Sequence, residues 1–226
     1  MKTETLSARA YAQLEDMIVW RVLEPGEYVS ERELVERTDL GRTPVREALQ
    51  RLARGRMVEI HPGRGILIPP VSVNDELDIL DLRAPLELAT VRLACARRSA
   101  EDLIAVRGTL KSIEDCPPVI EEYMLTVRDT HEVIVTAAHN RYLRETIVPL
   151  QVLSRRFWLA NIDDIPTEIG RAATLHTAIL QAVLHGNAED ASLASEALHQ
   201  YLLDFTLASV PPTLRDPTRS GAFRPA

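Results

Sequence analysis

The sequence has few of the residues that support several common classes of protein. Cys95 and Cys116 are its only cysteines, too few for a disulfide framework. Aromatic residues make up 4% of the chain, which disfavours a β-sandwich built from aromatic strands. No apolar run approaches the roughly 18 residues that a membrane-spanning helix needs, and no signal-peptide segment precedes Glu15 and Asp16. We therefore expect a reduced, cytoplasmic protein that has no membrane contact.

Basic residues are outnumbered overall, and their distribution is more informative than their number. The formal net charge is −7, which argues against a protein that coats nucleic acid with a uniformly basic surface. Residues 1–70 contain 11 basic and 11 acidic residues, so residues 71–226 carry the whole acidic excess. Residues 42–64 contain six arginines and two glutamates. This segment is a small basic patch on an otherwise acidic chain.

Apolar residues at helical spacing predict three helices in the first part of the chain. The first covers residues 8–21. Ser30 and Glu33 have the spacing of a capping box at the start of the second. Thr43 as N-cap and Pro44 as first helical residue predict where the third begins.

The third helix is followed by a predicted β-hairpin. Extended runs at residues 57–60 and 66–68 flank a turn-rich segment. Three helices and a hairpin are the elements of a winged helix-turn-helix. Pro69 and Pro70 end this unit, because successive prolines neither continue a strand ladder nor fit inside a helix. We therefore predict a DNA-binding domain over residues 1–70.

The rest of the chain is predicted to be helical. A linker at residues 71–74 precedes a domain over residues 75–210, and residues 211–226 lack periodicity and are predicted to be disordered. The six predicted helices lie near residues 75–98, 100–114, 118–138, 141–160, 167–185 and 188–209. Their short connections imply an antiparallel bundle, with a kink or a late start at Pro85. The predicted fold class is mainly α, with a small β-hairpin wing and an all-helical C-terminal bundle.

The third helix has the two-sided character of a recognition helix. Its apolar stripe consists of Val45, Ala48, Leu49 and Leu52. Arg46 and Gln50 lie outside the stripe, and Arg42 lies at the positive N-terminal end, within reach of a base edge or a phosphate. Thr43 is suited to a phosphate, and Arg32 on the preceding helix points to the backbone or the groove edge. An ordinary solvated face is the alternative, but the basic patch coincides with the helix that the topology nominates.

These segments resemble the GntR family of bacterial transcription regulators. The similar segments are Ser-Glu-Arg-Glu-Leu at 30–34, Gly-Arg-Thr-Pro-Val-Arg-Glu-Ala-Leu-Gln-Arg-Leu at 41–52 and Pro-Gly-Arg-Gly at 62–65. The resemblance implies a homodimer on an inverted repeat in double-stranded DNA. The implied contacts are Arg32, Arg42, Thr43, Arg46, His61 and Gly63, to which we add Gln50 and Arg64. Family members commonly have Ser or Thr where this chain has Gly41, so a phosphate contact is lost there.

Three histidines of the second domain, His131, His176 and His199, each lie on the inward face of a different predicted helix. If they converge, they are suitable ligands for zinc or nickel. The simpler alternative is three unrelated core histidines, each hydrogen-bonded locally.

Residues 75–208 are similar to the FadR-type helical effector domain. The similarity rests on Leu82-Arg83 with Glu87-Leu88-Ala89, His131 with Asn140, and His176-Thr-Ala-Ile-Leu-Gln-Ala with Gly186-Asn187. Members that bind a metal usually have Asp where this chain has Val127. Their last histidine falls about one residue earlier than His199 does, or else Tyr201 has taken its place. The ligand set is incomplete, so we predict a weakened three-histidine site or a metal-free pocket.

Arg83 is predicted to anchor the effector, because a planar guanidinium pairs well with a carboxylate. The alternative is an intrahelical pair with Glu87. Arg155 and Arg156 diverge on their helix, so at most one faces inward, and Arg156 is the second predicted effector contact. Small organic acids are the implied effector class.

Together these features predict a sequence-specific transcription regulator, more specifically a repressor, whose operator affinity responds to a small organic acid. An enzyme is disfavoured because the chain has no His-Glu-x-x-His motif, Gly-rich phosphate loop or nucleophile elbow. An architectural DNA protein would need a broadly basic chain rather than a net charge of −7.

Overall fold

The structure, a computed structural model, describes residues 5–210. The predicted tail at 211–226 lies outside the described residues. The elements are, in order, α1 (Leu6–Val19), β1 (Tyr28–Val29), α2 (Glu31–Thr38), α3 (Arg42–Arg54), β2 (Glu59–His61), β3 (Gly65–Leu67), α4 (Val73–Arg97), α5 (Ala100–Glu114), α6 (Ile120–Ala137), α7 (Arg141–Asn161), α8 (Ile165–His185) and α9 (Ala188–Ala208). Within residues 5–210, none of the helices combines the length and the apolar character needed to span a bilayer.

The chain forms two compact units. The first consists of the described residues up to Ser72 together with Val148–Ala160, and the second consists of Val73–Ile147 together with the described residues from Asn161 onward. The first unit therefore contains the predicted helix-turn-helix and also part of α7, which the sequence assigned to the second domain.

In the first unit, α1 and α2 pack against α3. Leu14 and Ile18 of α1 and Leu52 of α3 are at most 1% exposed. Each such side chain contributes roughly 1.5–3 kcal/mol by leaving water. Arg155 of α7 pairs with Glu15 of α1 at 3.4 Å, and both side chains are nearly buried. Burial of both charges makes their pairing necessary, since either one alone would carry a large desolvation cost.

The wing is a three-stranded antiparallel sheet in the order β1-β3-β2. Ile60 of β2 lies opposite Ile66 of β3, which confirms the predicted hairpin. The sequence did not predict β1, in which Val29 lies opposite Ile66 on the other edge of β3. Ser30 alone separates β1 from α2.

Two predicted helix starts in the first unit are wrong in detail. Gly41 is the N-cap of α3, so Pro44 is the third helical residue and Thr43 is not the cap. Pro44 is tolerated there because the first four amides of a helix have no intrahelical acceptor. At α2, the Glu33 amide donates to Ser30 Oγ at 3.1 Å, but the Glu33 carboxylate accepts from Arg37 at 2.6 Å. The predicted capping box is therefore only half formed.

The second unit is the predicted helical bundle. In it α4 packs against α6, α8 and α9, and α5 packs against α6 and α8. Side-chain caps fix the helix starts: Asn140 accepts from the Leu143 amide, and Asp164 accepts from the Thr167 amide. Pro85 lies inside α4, which already begins at Val73. The late start that the proline suggested is therefore wrong.

Candidate functional site

The exposed side of α3 carries the residues predicted to contact DNA. Arg42, Thr43, Arg46 and Gln50 are all exposed. The opposite side is buried at Val45, Ala48, Leu49 and Leu52, as the sequence predicted. Because burial fixes one side of α3 against its own domain, the other side is presented at a constant orientation. Such a face can follow a major groove.

Ion pairs order the arginines at this surface. Arg32 donates to Glu36 within α2 at 2.9 Å. Arg46 of α3 lies 3.3 Å from Glu31 of α2, measured from Nε to Oε2, and its side chain is 72% exposed. The sequence did not reveal the pairing of Arg46 with Glu31, because the two residues lie on different helices. Arg42 has no ion pair among the described residues, which leaves its guanidinium available to a phosphate or a base.

The wing places its predicted contacts at an exposed tip. Gly63 and Arg64 are exposed, and His61 is half-buried. The φ of Gly63 is +78°, a conformation that favours glycine in a tight turn. The His61 ring lies 5.7 Å from the Tyr28 ring, edge to face, and His61 Nε2 lies 3.0 Å from Glu59. Tyr28 thus supports the wing histidine, a role that the sequence did not indicate.

The second unit contains a small cavity between its helices. Its volume is about 20 Å³, which gives room for about one water molecule. Its polar lining consists of Arg83, Glu87, His131, His176, Ser195 and His199, and its apolar lining of Leu80, Val91, Ile134, Ile179, Leu198 and Leu202. The three predicted histidines and Arg83 therefore meet at one cavity. Arg156 does not line it, because this residue belongs to the first unit.

Arg83 is tied to its own helix while facing the cavity. Its Nη2 donates to Glu87 at 2.8 Å, the intrahelical pair that the sequence offered as the alternative. Arg83 is 3% exposed, and its Nε has no hydrogen-bond partner among residues 5–210. An uncompensated buried donor is costly.

The hydrogen bonds of His176 define its protonation. Nδ1 lies 2.9 Å from the Ala172 carbonyl oxygen. Since a carbonyl only accepts, Nδ1 carries the proton and Nε2 keeps its lone pair. Burial lowers the pKa of His176 to about 4, so the ring is neutral at pH 7. The buried Tyr123 hydroxyl lies 3.3 Å from Nδ1 of His176. Tyr123 was not predicted from the sequence, although its place two helical turns before His131 puts both residues on the same face of α6.

The histidines do not form a ready metal centre. The His131 and His176 rings lie 5.5 Å apart and meet edge to face. Burial lowers the pKa of His199 as well. In the described part of the chain, no group of three or more His, Cys, Asp or Glu residues is arranged to hold a metal ion. Val127, which stands where metal-binding members of the family usually have Asp, is buried. Tyr201 donates to Glu168 at 2.7 Å and does not line the cavity.

Comparison with known proteins matches the N-terminal and the C-terminal parts of the chain to two different family models. The model described as "Bacterial regulatory proteins, gntR family" matches residues 6–68, and the FCD domain model matches residues 78–201. The HTH-type transcriptional repressor GlaR of Escherichia coli is 30% identical over 87% of this chain and 92% of its own length. The Uxu operon transcriptional regulator of Escherichia coli is 29% identical over 91% of each chain.

Solved structures have the same fold. Escherichia coli McbR/YncC matches 92% of this chain and 100% of its own, with a TM-score of 0.77 and 21% identity. A putative GntR transcriptional regulator from Rhodococcus sp. RHA1 matches 96% of this chain and 99% of its own, with a TM-score of 0.64 and 22% identity. At these identities the likeness extends to the fold alone.

Proposed function

The chain belongs to the GntR family of bacterial regulatory proteins and carries an FCD domain, and on this premise we propose that it is a repressor released from its operator by a small organic acid. The family makes it a DNA-binding transcription regulator rather than an enzyme. The repressor role and the effector class are the proposed part.

The observation that carries the DNA half is the exposed arginine face of α3 beside the wing. Arg42 and Arg46 are exposed on a helix whose other side is buried. An arginine that donates two hydrogen bonds to guanine discriminates by roughly 1–3 kcal/mol against the wrong base. In our proposal these two arginines and Gln50 read bases, while Arg32, Thr43 and the wing residues contact the backbone.

The same face supports binding as a homodimer to an inverted repeat. One α3 reaches only the few base pairs of a single half-site, and a second copy related by two-fold symmetry doubles the sequence that is read. Sedimentation of the protein with a full-site and a half-site duplex tests this. Two protomers on the full site are expected, and a single protomer on both duplexes contradicts the dimer.

The effector half rests on Arg83. Its buried guanidinium already pairs with the carboxylate of Glu87, so the carboxylate of an effector must compete with Glu87 for Arg83. The cavity of about 20 Å³ is too small for an organic acid, so the lining helices must separate when one binds. This repacking is the proposed link between effector binding and DNA release.

The donor set does not fit a resident zinc or nickel ion, so no step is assigned to a metal. We propose instead that His131, His176 and His199 serve as polar lining for the effector, with His176 offering Nε2 as an acceptor. Elemental analysis of the purified protein tests this assignment. A stoichiometric transition metal that resists dialysis would contradict it.

The test of DNA recognition is selection of duplexes from a random pool, followed by titration of the selected duplex and of a scrambled one. We expect Arg46→Ala to weaken binding to the selected duplex by at least about tenfold and binding to the scrambled one much less. Arg107→Ala removes an exposed arginine from α5 of the second unit and serves as the matched control. Equal affinity of the wild-type protein for both duplexes would refute the proposal.

The test of the effector is thermal unfolding with a panel of small carboxylates, their amides serving as uncharged controls. An acid that raises Tm should also weaken binding to the selected duplex. Arg83→Gln should abolish both responses, and Glu87→Gln should strengthen them by removing the competing carboxylate. If no acid changes either property, the effector proposal fails.

A further inference from the structure

We infer that Glu31 is a positioning residue for Arg46, one that raises selectivity for bases while it lowers total affinity for DNA. This inference rests on the proposed role of α3 in base recognition. The carboxylate of Glu31 lies 3.3 Å from Arg46 Nε. The terminal nitrogens of Arg46 make no hydrogen bond among the described residues, so they are available to a base.

The pairing distinguishes Glu31 from the other glutamates of α2. Glu33 and Glu36 each pair with an arginine one turn away in the same helix. Glu31, in contrast, reaches across to α3. It is also the first residue of α2, where the positive end of the helix favours a negative charge. Glu31 thus combines a favourable place at the start of α2 with an ion pair that reaches across to α3.

The pairing also distinguishes Arg46 from the other arginines of α3. Arg51 packs over the Tyr11 ring at 4.2 Å, and Arg42 and Arg54 have no ion pair among residues 5–210. Arg46 is the α3 arginine that has a carboxylate within ion-pair distance among the described residues. A long, exposed arginine has considerable rotational freedom, and a fixed partner reduces the freedom that is lost on binding a base.

A carboxylate beside DNA has a predictable cost. Glu31 repels phosphates at any sequence, so it weakens binding to all DNA alike. Orientation of Arg46, in contrast, contributes only where two acceptors of a guanine edge meet the terminal nitrogens. The net result is a larger ratio of the affinity for the specific site to the affinity for other DNA, and this ratio defines selectivity.

The experiment compares Kd for the selected duplex and for a scrambled duplex of equal length, measured for full-length Glu31→Gln and Glu31→Ala. We expect the Kd for the scrambled duplex divided by the Kd for the selected duplex to fall by about tenfold, and we expect the scrambled duplex to bind more tightly than it binds the wild-type protein. Glu47→Gln is the matched control, since it removes an exposed carboxylate from α3 that has no ion pair in the described part of the chain. It should tighten both complexes together and leave the ratio unchanged.

The decisive arm repeats Glu31→Gln in an Arg46→Ala background, where the ratio should no longer respond to residue 31. The thermal midpoint of each variant is measured as well, and an unchanged value is required to show that the substitution leaves the fold intact. A parallel change in both affinities, or an effect that persists without Arg46, would overturn the inference. Failure of the wild-type protein to distinguish the two duplexes would instead overturn the proposed function.

Discussion

His139 and Asp102 are joined by a hydrogen bond in which Nε2 lies 2.7 Å from the carboxylate oxygen. Asp102 also accepts from the backbone and the hydroxyl of Ser99 at the start of α5. Burial acts to raise the pKa of Asp102, but the hydrogen bonds from Ser99 and His139 outweigh it, and the pKa lies below its usual value. One carboxylate thus holds the loop before α7 and caps α5.

We expect Asp102→Asn to lower the free energy of unfolding by about 1–2 kcal/mol at pH 7, because a neutral amide accepts the hydrogen bonds from Ser99 and His139 more weakly than a carboxylate does. The Asp102 contribution is complete above the unfolded pKa, about 4, and is lost as pH falls through the lower folded pKa. Urea unfolding from pH 7 to pH 3 measures this. The variant should be less sensitive to acid than the wild-type protein, and identical acid profiles would contradict the assignment.

His176 should affect stability in a higher pH range. Its folded pKa is about 4 because of burial, whereas an unfolded histidine titrates near pH 6.5. The unfolded state therefore takes up the proton first, and stability should decline as pH falls from about 6.5 to 4. NMR titration of the ring carbons should show His176 neutral at pH 5. A midpoint near 6.5 would mean that this ring is solvated.

Gly65→Ala should disrupt the wing. The φ of Gly65 is +107°, and an added Cβ would lie 2.8 Å from the Val29 carbonyl oxygen, which is backbone and cannot easily move. We expect a loss of about 2–3 kcal/mol in unfolding free energy. Gly26→Ala is the control: its φ is +85°, but nothing lies within 4 Å of the added Cβ, so it should cost about 1 kcal/mol. Equal losses would show that no steric clash occurs at Gly65.

The two ends of α8 allow a paired test of glycine. Gly186 caps the helix at φ +74°, a backbone conformation that strains any residue with a Cβ, so Gly186→Ala should lower Tm. Gly170 lies inside α8 with open space beside it, and Gly170→Ala should stabilise the protein by about 0.5–1 kcal/mol. Calorimetry of both variants measures the difference, and shifts of the same sign would contradict this account.

The sequence predicted most of the helical architecture because local signals mark it. Asn140, which the sequence placed at the break between two predicted helices, is the cap of α7, and such a break is readable from residue type and position. The apolar stripe of α3 was readable for the same reason, since its spacing defines one face. Asp164 was missed as a cap, since the predicted helix starts near residue 167 whereas α8 begins at Ile165. Glu33 shows the limit: its spacing from Ser30 fits a capping box, yet in the fold Arg37 competes for its carboxylate.

Relationships between distant segments were not readable. The strand β1 has only Tyr28 and Val29, too short for an alternating pattern, and it exists because β3 pairs with it from much later in the chain. The apolar periodicity predicts that Arg156 lies in a helix, but it does not indicate which elements that helix packs against. The sequence therefore could not show that Arg156 belongs to the first unit. The pairing of Glu31 with Arg46 was hidden for the same reason.

The junction at Ser30, which joins β1 directly to α2, affects how the domain would recognise a DNA duplex. A connector of one residue leaves almost no slack, so the wing strand and the helix that carries Glu31 move as one piece. We expect such a domain to test groove width and base identity jointly rather than in turn. A duplex that has the correct base sequence but an altered groove width should then bind as weakly as a duplex that has the wrong base sequence.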